Sequence, residues 1–172
     1  MSGVDAPDLN RRMGSMIKTS KVTERRQLQF SSMQDILADV EYLDSGDPPR
    51  TTGNWTAAQI VQHVAKLIDY SIDGFPVKAA LPLRIVGRMM RKAVLTNPIR
   101  PGIKLSKKFS FLAPDHEVAW DDAAQQLRQA IGRLDSDRMT KRSPIFGKLS
   151  HEQWEQLHCR HAEMHFSFMH PA

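Results

Sequence analysis

The stretch "LSHEQWEQLHCRHAEMHFSFMHP", residues 149–171, decides how the chain folds. Ser150 and Gln153 stand at the spacing of a capping box, in which each residue's side chain satisfies an orphan amide at the start of a helix. Trp154, Leu157, His161, Met164 and Phe168 then recur three and four residues apart, the pattern of a line that faces a core. Pro171 follows the expected end. A helix with one apolar side has to bury it, so other segments must supply matching faces.

Three segments do so. In "FSSMQDILADVEYLDSG", residues 30–46, Phe30, Met33, Ile36, Leu37, Val40 and Leu43 recur at helical spacing, with Ser31 or Ser32 as the cap and Gly46 as the stop. In "NWTAAQIVQHVAKLIDYSIDG", residues 54–74, Thr56 and Gln59 form another capping box, and Ile60, Val64, Leu67, Ile68 and Ser71 make the inward stripe. Gly74 ends this helix and Pro76 prevents its continuation. In "PDHEVAWDDAAQQLRQAIGRLDS", residues 114–136, Trp120, Ala124, Leu127, Ile131 and Leu134 follow the same rule, with Asp115 as the expected cap.

No segment reads as a strand pair, because no period-two run is bounded by hairpin turns. The expected fold is therefore an all-α four-helix bundle. Residues 1–26 are polar and aperiodic and read as a flexible N-terminal arm, with the bundle domain over 27–172. The interval between the second and third helices is long for a bundle loop. It reads as a crossover that carries a short basic helix in "LPLRIVGRMMRKAVL", residues 81–95, where Leu81, Ile85, Met89 and Ala93 share a helical period.

Composition narrows the classes of function. The chain has 172 residues, of which 41% are hydrophobic, as suits one globular domain with its own core. One cysteine excludes an internal disulfide and fits a reducing compartment. No apolar run approaches the ~20 residues of a membrane span. No apolar segment follows Arg11 and Arg12 as in a signal peptide, so the cytoplasm is the expected location. The net charge of +5 is uneven: from Pro76 to Lys108 there are nine Lys/Arg and no Asp/Glu. Such a block can meet nucleic acid, an anionic lipid surface or an anionic substrate, and a solvated basic connection is the plainer reading. Aromatic residues are not interleaved there, and no helix-turn-helix, RNA-recognition or zinc-finger signature accompanies it, which argues against nucleic acid.

The histidines are the chemical signal. On a helix each residue advances about 100° and 1.5 Å, so His161 and His165 are neighbours on one face and can chelate one divalent ion. His158 and His161 could do the same, but His158 and His165 lie about 10 Å apart along the axis and cannot share a metal. The inward line passes through His161 and beside His165, which makes these two the core-facing pair. A third ligand has to come from another helix, and His63 flanks the apolar stripe of the second. His116, His151 and His170 sit at helix ends and suit the role less well. Cys159 points away from His161 by roughly 160° and reads as a partly buried thiol rather than a nucleophile.

Two sequence patterns carry a family resemblance. Trp55 to His63 matches "W(S/T)xxxIxxH", and Arg160 to Phe168 matches "RHxxxHxxF". With "RRQLQF", "FLAP" and "SPIFGKLSHEQWEQLHCRHAEMHFSFMHP", they make residues 25–171 resemble the DinB/YfiT-like superfamily, in a branch of unknown function. That resemblance implies an up-down-down-up four-helix bundle and a divalent metal, often zinc or nickel, held by His63, His161 and His165. Relatives often carry a double His near the end of the terminal pattern; here the first of that pair is Met164 and the second is His165.

Three imidazoles leave a metal an open position, the mark of a catalytic rather than a structural site. The resemblance implies a metal-dependent thiol S-transferase or hydrolase that acts on a small-molecule substrate, in the first case with a low-molecular-weight thiol, and a homodimer. The competing expectation is a metal-stabilised stress or binding protein without turnover. No residue reads clearly as a general base: Glu163 faces away from the two ligands, and Asp69 and Asp73 stand nearer the expected rim.

Overall fold

The computed structural model describes residues 16–44, 46–103 and 106–172. Five α-helices organise the described residues: α1 (Met33–Leu43), α2 (Ala57–Asp73), α3 (Leu81–Thr96), α4 (Trp120–Gly132) and α5 (His151–Phe166). Two of them, α2 and α5, begin with the capping boxes read from the sequence; in α1 the cap is Ser32 of the two candidate serines, and Asp35 completes a box that the sequence reading did not include. Reciprocal capping boxes join Ser32 to Asp35, Thr56 to Gln59 and Ser150 to Gln153, so each helix satisfies two orphan amides within its first turn.

The apolar faces then meet. Helix α2 packs on α4 and α5, α1 packs on the same two helices, and α3 lies against α5. Met33, Ile36, Val40 and Leu43 of α1, Ile60, Val64 and Ile68 of α2, Leu127 of α4 and Trp154 and Phe166 of α5 share one core. Met139 and Met169, outside the helices, are fully buried in the same core. Trp154 Nε1 donates to Lys141 O at 3.0 Å, which satisfies the one polar atom of that buried ring.

The structure departs from the sequence reading in four places. Helix α4 starts at Trp120 after the uncapped Ala119, because the carboxylate of Asp115, the expected cap, bonds to Lys66 and Gln62 instead. The basic helix of the crossover is not short: α3 spans sixteen residues. Its periodic line of Leu81, Ile85 and Met89 faces solvent, while Gly87 and Leu95 are buried. A small antiparallel sheet also pairs β1 (Arg50–Thr51) with β2 (Met169–His170), two residues each and too short to leave a period in the sequence.

The expected arm lies outside the described residues over 1–15. From Ile17 onward the chain is bonded to the domain. Asn54 exchanges two 2.8 Å hydrogen bonds with the Ile17 backbone, and Arg26 grips Asp39 through both guanidinium nitrogens at 2.9 and 2.6 Å. No helix among the described residues is long and apolar enough to cross a membrane.

Replacing Ser150 with Ala removes the reciprocal cap of the helix that holds two histidines. Urea denaturation should show a loss of about 1 kcal/mol with an unchanged slope. A variant as stable as the parent would show that α5 is held by packing alone.

Candidate metal centre

The site is built from two helices. Gln59 and Thr56 set where α2 begins, and His63 follows about two turns into it, buried. His161 and His165 stand one turn apart near the end of α5. Their side chains meet: one ring nitrogen from each of His63, His161 and His165 lies within 4.8 Å of the others, and no carboxylate or thiol among the described residues joins this group. The ring centroids are 5.0 Å apart for His63 and His161, 4.8 Å for His63 and His165, and 4.6 Å for His161 and His165.

The tautomers follow from the surroundings. His63 Nδ1 lies 2.6 Å from Leu112 O, and a carbonyl only accepts, so Nδ1 carries the proton and donates. His63 Nε2 is therefore a bare lone pair in the neutral ring. It faces His161 Nε2 at 3.3 Å. Two imidazoles on one tetrahedral zinc, each nitrogen about 2.05 Å from it, stand about 3.3 Å apart. A carbonyl behind a ligating imidazole is also the usual way that a metal site orients its histidines. The donor set therefore fits a divalent cation. His161 Nδ1 is buried without a partner.

Electrostatics keep the rings in their binding form. Burial lowers the pKa of His63, and it holds those of His161 and His165 well below the ordinary histidine value. Neighbouring positive charge adds to this: Lys66 acts on His63, and Arg25 on His165. Neutral imidazole is the form that ligates. Arg25 is itself fixed, with its guanidinium on Ser167 Oγ at 2.8 and 2.7 Å and 4.6 Å above the Phe168 ring. His161 and His165 each keep a small part of their surface exposed, while His63 is buried. Trp55 stacks on His165 at 5.6 Å with an 11° tilt and also touches His63.

The other chemical candidates are used elsewhere. His158 is fully buried, bonds to Ser71 Oγ at 3.2 Å and stacks on Trp154; burial takes its pKa down to about 3. The Cys159 thiol is buried and pushed up to about 12 by burial and Glu155, which makes it inert as a nucleophile at neutral pH. Glu163 accepts from Phe30 N at 2.6 Å and pairs with Arg160. Asp69 and Asp73 both bind Arg133. His151 Nδ1 accepts from Met139 N, His116 is exposed, and His170 lies in β2.

Two contributors escaped the sequence reading. The carbonyl of Leu112 has no signal in its side chain. Trp55 stood in the pattern that starts α2, eight residues before His63, but nothing in that spacing said that its ring would cover two histidines.

A helical protein with three converging histidines is the class that this geometry defines. The chain matches the model of a family of proteins of unknown function, DUF1569, over residues 22–172, and it belongs to that family. No curated protein and no solved structure matches it.

His158 makes stability depend on pH. The unfolded chain takes up a proton near 6.5, while the folded chain refuses it until about 3, so stability falls as pH drops through that window. His63, His161 and His165, free of metal, push the same way. Urea unfolding of His158→Gln at several pH values should show a smaller slope than the parent without abolishing it. Equal slopes would mean that His158 is not held neutral.

Proposed function

We propose that the protein is a DinB-like metalloprotein in which His63, His161 and His165 hold one divalent cation, zinc or nickel. The observation that carries this is the 3.3 Å approach of His63 Nε2 to His161 Nε2, with the His63 proton committed to Leu112 O. In this reading α1, α2, α4 and α5 are the four bundle helices, arranged up-down-down-up, and α3 belongs to the crossover between α2 and α4.

The activity we favour is metal-dependent transfer of a small thiol to an electrophilic small molecule, with hydrolysis as the related option. Three neutral histidines would leave a four-coordinate cation an open position. A divalent ion held there would supply Lewis acidity, able to keep a thiol in its thiolate form or to acidify a water. The surrounding protein favours an anion at that position, because the fixed charges that act on the histidines are those of Arg25 and Lys66. Trp55 forms an apolar wall beside His165 against which a small substrate can lie. The acids that could serve as a base are tied to arginines: Glu163 to Arg160, Asp69 and Asp73 to Arg133. A thiol or a water held on the cation would need no such base.

The second reading, a metal-stabilised binding protein without turnover, rests on the same cluster and is separated from the first by experiment. Metal analysis of the chain purified without a His-tag should give one divalent ion per chain, lost in His63→Ala and in His165→Ala. Equal metal in all three would remove the triad. Where the parent holds metal, conjugation of a small thiol to an electrophile should be measurable and should fall by at least about a hundredfold in His161→Ala, whose loss removes a direct ligand. Intact metal with no turnover across thiol and ester substrates would establish the binding reading instead.

A further inference from the structure

Helix α3 is amphipathic in the wrong sense for a helix at the surface of a single folded chain. At about 100° per residue, Arg84, Gly87, Arg91, Val94 and Leu95 share one side. This is the side that faces the protein, where Gly87 and Leu95 are buried. Gly87 is needed for that approach: a Cβ there would stand 2.5 Å from Ile145 Cγ2 and 2.8 Å from Ile145 O. Arg91 donates to Lys148 O at 3.1 Å on the same side. The opposite side carries Ile85 at 51%, Val86 at 49%, Met89 at 80% and Met90 at 52% exposure, with Leu81 and Leu83 exposed at its start. Surface helices turn such a stripe to the core, and an exposed stripe of this kind marks an interaction site.

Charge decides what covers it. Residues 76–108 hold nine Lys/Arg and no Asp/Glu, while the rest of the chain holds fifteen Lys/Arg against nineteen Asp/Glu, a net −4. Arg88 and Lys92 border the stripe, and Lys78, Arg100, Lys107 and Lys108 lie in the segments that flank the helix. A second copy docked through α3 would set two such basic blocks against each other. The stripe is aliphatic and thioether, with none of the Trp or Tyr anchors that dominate protein interfaces. An anionic lipid surface meets both requirements: its headgroups take the basic border and its acyl boundary takes the stripe. The helix is about 24 Å long. It is not apolar enough to span a membrane, so it lies flat.

We propose that α3 is a membrane-surface helix, which docks the protein on an anionic leaflet through Ile85, Val86, Met89 and Met90 with Arg88 and Lys92 at the headgroups. This does not rest on the metal reading. The test is flotation of the full chain with phosphatidylcholine vesicles, with and without phosphatidylglycerol, at low and high salt. The chain should float with the anionic vesicles only, and less at high salt. The double variants Ile85→Glu/Met89→Glu and Arg88→Glu/Lys92→Glu should each bind about tenfold more weakly or worse, with helix content unchanged by circular dichroism. Absence of flotation at low salt, which would leave the stripe to an acidic protein partner, overturns the proposal. So does a concentration-dependent dimer in sedimentation that Ile85→Glu/Met89→Glu abolishes, since a second copy would then cover the stripe.

Discussion

A seam of hydrogen bonds between α2 and residues 112–116 holds the centre of the molecule together. Helix α2 is buried well beyond its apolar stripe, and Gln62 and His63 go in with it. Buried polar groups have to find partners within the protein. His63 donates to Leu112 O, and Gln62 exchanges bonds with the carboxylate and amide of Asp115. Lys66 reaches Ala113 O and the Asp115 carboxylate, and Gln59 reaches Asp115 O and His116 O. The long connection is thus not a loose crossover but the polar lining of a helix that has little solvent of its own. The same seam fixes the tautomer of His63, so one contact both satisfies a buried polar group and leaves Nε2 bare toward His161.

That dependence explains what sequence reasoning could see. Local rules were legible because their partners lie within one turn: the capping boxes at Thr56 and Ser150 stand where the spacing put them, and Ser32 is one of the two caps that the sequence offered for α1. The three histidines were legible too, since α-helical spacing paired His161 with His165 and the stripe of α2 turned His63 toward them. Partners far along the chain were not. Asp115 looked like a cap because the claims of Gln62 and Lys66, about fifty residues away, cannot be read from its neighbours. The Leu112 carbonyl was invisible for the same reason.

Helix α3 shows a different limit. Its period was visible, but a period states only which residues share a face. Whether that face looks inward depends on what stands on either side, and here Gly87 against Ile145 turns the apolar line outward. His158 shows the converse. The spacing said only that it cannot share a metal with His165, yet Ser71 and Trp154 make it one of the most enclosed polar residues described.

The ends of the described chain hold each other. Arg25 binds Ser167, Phe30 N bonds to Glu163, Arg160 reaches Phe30 O, and Arg50 pairs with His170. These contacts join residues more than a hundred positions apart. On the ribosome, α5 is made after every other helix described here. Until it emerges, α1 and α2 expose the faces that it will cover, and His63 faces no partner imidazole. The histidine cluster therefore forms only in the final docking step of synthesis, and a nascent chain stalled before α5 holds at most one of its three nitrogens.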